Sequence, residues 1–260
     1  MTDAELAWRV EAVCFNAFPS LKQAILAGWL LRFSKGVSRR ANSANPLHPG
    51  FTPAHAVIEP IEAVYRRQGQ PTIFRVPSFL SAALDRPLTE RGYGREGETC
   101  VLYGAMDAVP AAPDSGVELS AEPSPEWLAA MAEFQGHTEA HRAVYRRIVE
   151  AVAVPAAFAG LRIDGRLAAL AYGAISDGLL CYESVITDPA QRRQGLAWRL
   201  VASLAAWGRE EGARGLCLQV EASNTPARAL YDRSGLKTEL YRYHYRRQPE
   251  APVSRLRALG

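Results

Sequence analysis

The sequence predicts an α/β fold built on a mixed sheet, in which short strands alternate with amphipathic helices. Apolar, β-prone runs such as residues 179–187 are followed by segments whose apolar residues recur at helical spacing, as Leu196 and Leu200 do. Asp-Gly pairs at residues 164–165 and 177–178 separate consecutive runs, and both residue types favour the positive φ of hairpin turns. Hairpins beside strand–helix units indicate both antiparallel and parallel neighbours.

The composition is that of a globular protein. Of 260 residues, 48% are hydrophobic and 22% are charged, and the net charge of +3 is too small to indicate a nucleic-acid partner. No apolar run approaches the roughly 18 residues of a membrane span, and the polar N-terminus does not resemble a signal peptide. The four cysteines lack metal-site spacing and stand among apolar neighbours. We therefore expect a cytoplasmic protein with buried thiols and no structural metal.

A segment rich in proline and alanine, residues 108–125, divides the chain into two halves, residues 1–110 and 111–260. Residues 117–119 within it are β-prone enough to begin the first strand of the second half. The further elements predicted there are helices 126–134, 139–152, 195–211 and 226–233, and strands 157–163, 167–175, 179–187, 216–221 and 237–246. The tail from Gln248 is expected to be loose.

The first half repeats the end of this pattern. The elements predicted there are helix 54–67, strand 73–76, helix 79–91 and strand 99–103. Gly69 and Gly92 stand where Gly212 and Gly235 stand in the second half, and residues 49–54 then match the segment before helix 195–211. Two explanations fit this pattern. One is an ancient duplication in which one copy is inactive, and the other is a chance repetition of helices, strands and the glycines between them.

The segment RRQGLA, residues 192–197, lies between the strand 179–187 and the long helix. The first turn of a helix has unpaired N–H groups and carries the positive end of the helix dipole. Gly195 lets a ligand approach the backbone closely, and two arginines add positive charge. The segment is therefore predicted to bind an anion such as pyrophosphate. A solvated pair of surface arginines is the alternative.

In this context the second half resembles the GNAT N-acetyltransferase superfamily. The phosphate loop of that family reads Arg or Gln, two residues, Gly, one residue, then Gly or Ala, and Arg192, Gly195 and Ala197 satisfy it. A second family block follows at the right distance. Its residues are Asn224, Ala227, Leu230-Tyr231 and Gly235-Leu236, where most relatives have Gly-Phe. The resemblance covers residues 117–247, and the first half only faintly. It implies a GNAT acyltransferase fold, in tandem with a degenerate N-terminal copy.

The resemblance also implies that acetyl-CoA is the cosubstrate. In this family, the strand before the phosphate loop splays from its neighbour and leaves backbone groups free for the pantetheine arm. Val185, Ile186 and Thr187 hold that position, and one of their amides would polarise the thioester carbonyl and stabilise the oxyanion. The loop would donate N–H groups and positive charge to the pyrophosphate. The residues assigned to it are Arg192, Arg193, Gln194, Gly195, Leu196 and Ala197.

Tyr231 matches the tyrosine that many relatives use as the general acid toward the departing thiolate. The pKa of a thiol is about 8.5 and that of a tyrosine about 10, so this proton transfer is chemically reasonable. A packing role on an amphipathic helix is the alternative. Asn224 is expected to cap the helix that carries Tyr231, to hydrogen-bond the cofactor, or to do both.

The general base has several candidates. Some histone-acetylating relatives have a glutamate four residues before the carbonyl-polarising position, where this chain has Cys181. Glu183, on the same face of the strand by alternation, ranks first. Glu221 at the end of the next strand, His137 and a relayed water molecule are the others. His137 and His141 lie four residues apart on a helix, but no third ligand accompanies them, so no metal site is expected.

The first half lacks counterparts of Tyr231 and Asn224. Leu88 stands where Tyr231 would be and Ser81 where Asn224 would be, so this half is not expected to be a second active site. Its hydrophilic run, residues 39–43, is predicted to be a strand. That strand either lines an acceptor pocket between the halves or forms an exposed edge.

The expected activity is transfer of an acetyl group from acetyl-CoA to a primary amine, by direct attack in a ternary complex. The cysteines have no neighbouring histidine in sequence, so no covalent acyl-enzyme is expected. No basic or acidic tract indicates a macromolecular acceptor, which favours a small molecule or an amino-acid-like metabolite. A protein amine, a longer acyl group and a module that senses acyl-CoA without turnover are the alternatives. Tyr231 disfavours the sensor, which needs no general acid.

Overall fold

The structure is a computed structural model and describes residues 2–249. Its helices are α1 (Asp3–Ala17), α2 (Ala54–Arg67), α3 (Ser81–Glu90), α4 (Pro125–Phe134), α5 (Glu139–Glu150), α6 (Leu196–Glu210) and α7 (Thr225–Arg233). Its strands are β1 (Lys22–Leu26), β2 (Trp29–Phe33), β3 (Ala44–Pro46), β4 (Ile73–Pro77), β5 (Gly94–Ala105), β6 (Val117–Ser120), β7 (Ala156–Ile163), β8 (Arg166–Ser176), β9 (Leu179–Thr187), β10 (Gly215–Glu221) and β11 (Thr238–Arg247). All eleven strands form one mixed sheet. Within the described residues, no helix combines the length and apolar character needed to cross a bilayer.

The middle of the sheet is buried on both faces. Successive residues of a strand point to opposite faces, and each face packs against its own cluster. On one face, Leu180 of β9 packs in a cluster with Leu204 of α6. On the other face, Cys181 packs in a cluster with Val10 of α1. Helix α1 begins at a capping box formed by Thr2 and Glu5. A helix from the first half of the chain therefore covers strands of the second half.

The same order of elements occurs twice. A hairpin (β1–β2, then β7–β8) is followed by an antiparallel strand (β3, β9), a helix (α2, α6) and a strand parallel to the one before the helix (β4, β10). A shorter helix (α3, α7) and a long strand (β5, β11) complete each set. Glycines at positive φ follow the matching helices, Gly69 and Gly212 after the first, Gly92 and Gly235 after the second. The repetition seen in the sequence is present in the topology.

The two halves exchange their last strands. β5 pairs with β10 of the second half, β11 pairs with β4 of the first half, and β5 and β11 also pair with each other. The strand order is therefore β1-β2-β3-β4-β11-β5-β10-β9-β8-β7-β6. Neither half completes its own part of the sheet.

Most predicted elements occur, with ends shifted by a few residues. The β-prone residues 117–119 belong to β6, which pairs with β7. The helix predicted over 79–91 begins only at Ser81, after a 3₁₀ turn, and the strand predicted over 99–103 extends over the whole of β5. In the tail, Gln248 donates its backbone N–H to the Thr72 carbonyl at 2.8 Å and is anchored. The rest of that predicted loose tail, from residue 250, lies outside the described residues.

The strand predicted over residues 39–43 is wrong, because Arg39–Asn42 form a 3₁₀ helix. The Asn42 side chain holds the preceding turn: Oδ1 accepts from the backbone N–H of Ser34 at 2.6 Å, and Nδ2 donates to the Val37 and Ser38 carbonyls at 2.7 Å each. These bonds give the backbone an alternative to strand pairing. The segment is therefore not an exposed edge, and it lines cavities at the boundary of the two halves.

Strands β9 and β10 diverge toward their C-terminal ends. Their parallel register ends at Tyr182 and Leu218, whereas β9 continues to pair with β8 to its last residue. The β8–β9 register shifts at a bulge, near which Ser184 has φ of +53°. A gap therefore opens between Glu183 on one strand and Gln219 on the other, in the middle of the sheet.

Candidate active site

The phosphate-loop motif lies at the end of β9, at the N-terminus of α6. Asp188 fixes the turn before it, accepting at Oδ1 from the Ala190 N–H at 2.8 Å. Gly195 has φ of +76°, a conformation that favours glycine. A Cβ added at this glycine would meet no atom within 4 Å. The loop backbone therefore faces open space.

The loop offers several unsatisfied donors. The backbone N–H groups of residues 194–197 donate to no acceptor within residues 2–249. The side chains of Arg192, Arg193 and Gln194 are exposed, whereas Leu196 is buried in the core and anchors the start of α6. Free N–H groups at the positive end of a fifteen-residue helix, beside two arginines, form a site suited to a phosphate or pyrophosphate.

A cavity of about 620 Å³ occupies the gap between β9 and β10. We call it the reaction cavity. Its lining includes Glu183 and Val185 from β9, Gln219 and Glu221 from β10, and Tyr231 from α7. The first half contributes as well. The residues that it adds to the lining are Phe18, Val37, Ser38 and Arg40.

A second cavity of about 580 Å³, which we call the distal cavity, adjoins the first. Residues that line both cavities include Arg40, Gln219 and Glu221. The distal cavity is polar, and its further lining is Gly36, Arg39, Thr99, Tyr243, Tyr245 and Arg247. The strand exchange builds this wall, because Thr99 comes from β5 and the two tyrosines come from β11.

Glu183 is buried and paired with an arginine of the first half. Its two carboxylate oxygens accept from Nη1 and Nη2 of Arg40 at 2.7 and 2.8 Å. Arg40 Nη1 also donates to Gln219 Oε1 at 3.2 Å, and the guanidinium lies 4.2 Å from the centre of the Phe18 ring. Burial raises the pKa of Glu183, and the charge and hydrogen bonds of Arg40 offset only part of that rise. The carboxylate thus titrates closer to neutral pH than an exposed glutamate.

Tyr231 lines the reaction cavity and is only 7% exposed. Its hydroxyl makes no hydrogen bond to any other described residue. Burial, and then the negative charge of Glu183, raise the pKa of Tyr231 above its usual value. The phenol is therefore protonated at neutral pH and has a proton to donate. Asn224 caps the helix that carries it, accepting from the Ala227 N–H at 3.2 Å, so the predicted cap is confirmed.

The two histidines lie on α5 and before it, on the wall of the reaction cavity. The ring centres of His137 and His141 are 5.8 Å apart. Burial lowers the pKa of His137, and the neighbouring His141 and Arg142 lower it further, so the His137 ring is neutral at pH 7. The part of the chain that the structure describes places no third metal ligand beside the pair.

The other sequence-assigned residues divide between two places. Val185 and Glu221 line the reaction cavity. Ile186 and Thr187 lie against Leu170 and Ala169 of β8 and are not part of that lining. The loop residues Arg192 to Ala197 also lie outside it, at the end of β9. The candidate anion-binding loop therefore lies at one end of the gap, and the reaction cavity lies within the gap.

Three of the four cysteines meet in the core behind Glu183. The Sγ atoms of Cys14, Cys181 and Cys217 lie within 4.8 Å of one another, and all three are buried as free thiols. Cys181 and Cys217 are register partners on β9 and β10, and α1 brings Cys14 to them. Spacing in the sequence gave no sign of this cluster, because its members come from distant elements.

Sequence reasoning did not find Arg40, the partner of Glu183, or Gln219, to which Arg40 also donates. Arg40 and Gln219 lie 143 and 36 positions from it, and only the hydrophilic character of residues 39–43 hinted at a polar site in the first half. Tyr145 was also missed, and its hydroxyl donates to Ser184 Oγ or accepts from it at 2.7 Å, which supports the bulge in β9.

The counterpart of the phosphate loop in the first half is closed. Thr52 donates its N–H to the Ala27 carbonyl at 2.9 Å, and its own carbonyl accepts from Trp29 Nε1 at 2.8 Å. Pro53 precedes helix α2 and has no N–H to offer. Residues 49–54 carry no charged side chain, and Gly50, Phe51 and Thr52 use their backbone N–H groups in hydrogen bonds within the first half.

Comparisons with known proteins agree with this geometry. An N-acetyltransferase of Bacillus subtilis (strain 168), YobR, described as uncharacterized, is 23% identical over 245 residues, which cover 92% of this chain and 97% of that protein. The structure of a GCN5-related N-acetyltransferase from Kribbella flavida superposes with a TM-score of 0.70 at 20% identity, covering 95% of this chain and 97% of that one. A tandem GNAT protein from the clavulanic acid biosynthesis pathway superposes with a TM-score of 0.63 at 15% identity, covering 90% and 86%. At these identities the solved structures establish the fold.

The match to a protein family covers almost the whole chain. The family described as "Probable histone acetyltransferase Rv0428c C-terminal" matches residues 7–247, which include both halves, the phosphate loop and the reaction cavity. The chain therefore belongs to the Rv0428c C-terminal acetyltransferase family and is an enzyme of the GNAT N-acetyltransferase superfamily.

Proposed function

We propose that this enzyme transfers the acetyl group of acetyl-CoA to the primary amine of a small, amino-acid-like molecule, by direct attack in a ternary complex. The observation that carries the proposal is the gap between β9 and β10. Free backbone N–H donors lie at the loop end of this gap, and the reaction cavity within it contains Tyr231, whose hydroxyl is protonated and has no hydrogen-bond partner among the described residues.

Acetyl-CoA would bind with its pyrophosphate on the loop at the start of α6. The free N–H groups of residues 194–197 would donate to the phosphate oxygens, and Arg192 and Arg193 would add charge. The pantetheine arm would then run along β9 past Thr187 and Ile186. Val185, which lines the reaction cavity, would present a backbone donor to the thioester carbonyl. Asn224 is close enough to the same cavity to contact the cofactor while it caps α7.

In the chemical step, the amine nitrogen attacks the thioester carbonyl carbon, and the tetrahedral intermediate collapses with cleavage of the carbon–sulfur bond. Tyr231 would give its phenolic proton to the departing CoA thiolate. The Tyr231 phenol is neutral and lines the reaction cavity, and both properties suit that role. The amine loses one proton in the same reaction, so a base must accept it.

Glu183 is our first candidate for that base. Its raised pKa favours proton uptake near neutral pH, and each carboxylate oxygen that binds Arg40 retains a second lone pair. Because Glu183 is 3% exposed, a water molecule in the cavity would relay the proton. Glu221 and His137 line the same cavity and are the competing candidates.

We further propose that residues 1–110 are a degenerate GNAT copy and that residues 111–260 carry the catalytic groups. The closed counterpart loop and the leucine at position 88 support this division. No feature of the described surface indicates a nucleic-acid or membrane partner, and a cytoplasmic location remains our expectation from the composition.

The proposal is tested by incubating the full-length protein with acetyl-CoA and a panel of small amines, amino acids and a lysine-containing peptide. Free CoA and the acetylated product are measured together, by thiol titration and mass spectrometry. We expect CoA release that depends on a small amine. Tight acetyl-CoA binding with no turnover on any amine would instead identify a sensor. Repeating the assay with longer thioesters measures the preferred acyl length.

A further inference from the structure

We propose that the acceptor amine carries a carboxylate, and that Arg39 binds this carboxylate in the distal cavity. The inference rests on the proposed function, which places the reacting nitrogen in the reaction cavity. It adds the chemical class of the acceptor and a residue that selects it.

The distal cavity is the natural extension of the reaction cavity. The two share lining residues, among them Gln219 and Glu221, so they lie side by side. A volume of about 580 Å³ suits the remainder of a small metabolite. An acceptor whose amine lies in the reaction cavity would extend its other end past Glu221 toward Arg39.

Arg39 presents an unsatisfied guanidinium to this cavity. Its side chain is 35% exposed, and its nearest carboxylate oxygens, on Glu96 and Glu221, are 3.7 and 4.0 Å away. Both distances exceed that of a hydrogen bond, and no N–H group of Arg39 has a hydrogen-bond partner within residues 2–249. The guanidinium lies 5.1 Å from the centre of the Tyr245 ring, which is buried and fixes its orientation.

The neighbouring arginines are already occupied. Arg40 makes two hydrogen bonds to Glu183, and Arg247 donates from Nε to Glu96 at 2.8 Å. Among the arginines that line this cavity in the described residues, Arg39 makes no hydrogen bond at all, whereas Arg40 is bound through both Nη atoms and Arg247 through its Nε. A planar fork of N–H groups matches the two oxygens of a carboxylate, which it binds with two parallel hydrogen bonds.

The charges around Arg39 favour a zwitterion. Glu221 lines both cavities, is 69% exposed at its side chain and stands 4.0 Å from Arg39. An ammonium group beside Glu221 and a carboxylate on Arg39 would replace this loose contact with two close ones. A phosphate dianion would add a second negative charge next to Glu96 and Glu221, while Arg40 and Arg247 are already paired with glutamates. The site therefore fits an amino acid better than a phosphorylated amine.

The experiment compares amines that differ only in the carboxylate. L-lysine is paired with cadaverine, L-ornithine with putrescine and L-phenylalanine with phenethylamine. Phosphoethanolamine, ethanolamine and a lysine peptide blocked at both ends complete the set. For each, kcat/KM is measured with saturating acetyl-CoA, and binding to the protein–CoA complex is measured by calorimetry. Wild-type protein, Arg39→Gln and the control Arg86→Gln are compared, because Arg86 is 85% exposed on α3 and, among residues 2–249, pairs only with Glu90. Thermal melting confirms that each variant is folded.

We expect at least one amino acid to exceed its decarboxylated partner by tenfold or more in kcat/KM and in affinity. Arg39→Gln should remove this difference by raising the KM for the amino acid by about tenfold or more, while kcat and the KM for acetyl-CoA change little and Arg86→Gln matches wild type. Equal use of acid and amine, or a preference for phosphoethanolamine or the blocked peptide, would overturn the inference alone. If no amine is acetylated but amino acids still bind through Arg39, the proposed function is wrong and the carboxylate site stands. If they neither react nor bind, both are wrong.

Discussion

At the residue scale, Tyr231 shows how burial prepares a side chain for one task. The phenol lies in the reaction cavity without a hydrogen-bond partner among the described residues, and the burial that raises its pKa keeps it protonated. A thiolate that develops nearby would find a neutral donor already in place. The packing alternative for Tyr231 predicts a different result on substitution.

We expect Tyr231→Phe to lower kcat by roughly 10²-fold, the usual size of a general-acid contribution, because the leaving thiolate loses its proton donor. The dissociation constant for CoA, measured by calorimetry, should change less than about threefold, since phenylalanine preserves the packing of α7. Steady-state kinetics on the best amine of the panel provides the comparison. An unchanged kcat in a folded variant would make Tyr231 a structural residue.

Glu183 is tested through the pH dependence of kcat/KM. A base must be deprotonated to act, so activity should fall as the pH drops through its pKa, and burial places that fall above the ordinary carboxyl range. Glu183→Gln should remove this acid limb and lower kcat. Glu221→Gln is the matched comparison, because Glu221 lines the same cavity in an exposed position. If only Glu221→Gln removes the acid limb, then Glu221 is the base.

The partner of Glu183 marks where residue-level prediction stops. Strand alternation was enough to place Glu183 on the face of Cys181, and the 4.0 Å separation of Cys181 Sγ and Glu183 Oε1 agrees with it. The Arg40 side chain that binds Glu183 comes from a 3₁₀ helix 143 residues earlier. No periodic pattern relates the two positions, so only the tertiary fold reveals the pair.

At the scale of elements, local rules were the most successful. The Asp-Gly hairpins are confirmed, with Asp164 and Asp177 at φ of +49° and +47° and a glycine at positive φ after each. The helix over residues 195–211 is confirmed within one residue at each end. The 3₁₀ helix at Arg39–Asn42 was missed, because its backbone is held by the Asn42 side chain rather than by any pattern of apolar residues.

The start of α6 supplies a test of the CoA site. Gly195→Glu should weaken CoA binding by about 100-fold or more, because it places a negative charge against the phosphates at the helix N-terminus. Gly195→Ala is the control for the backbone, since an L-residue at φ of +76° costs about 1–2 kcal/mol whatever its charge. A Cβ at this position meets no atom, so alanine should retain most of the affinity. Equal affinity of the glutamate variant and wild type, measured by calorimetry, would contradict the loop assignment.

At the scale of the whole molecule, the strand exchange makes the first half a structural part of the candidate active site. β5 of the first half pairs along β10, next to the gap, and α1 closes the face behind Cys181. Arg40 reaches across to Glu183. The first half therefore supports the candidate site even though Leu88 stands at the position that corresponds to Tyr231. The division at residue 110 was predicted from composition, but strand pairing between distant segments carries no local sequence signal, so the exchange was not.

This interdependence predicts that the halves fail when separated. Expressed alone, residues 111–260 lack β5, which pairs with both β10 and β11, and they also lack α1. Strands β10 and β11 would then have unpaired edges, and the apolar face that α1 covers would be exposed. We expect an aggregated or unfolded fragment by size-exclusion chromatography and circular dichroism. Co-expression with residues 1–110 should restore a folded complex that releases CoA in the presence of amine. A longer fragment, residues 94–260, restores β5 without α1, and its intermediate stability would separate the two contributions. A monomeric fragment 111–260 that unfolds cooperatively and retains activity would show that the exchanged strand is dispensable, because the catalytic groups would then hold their positions without it.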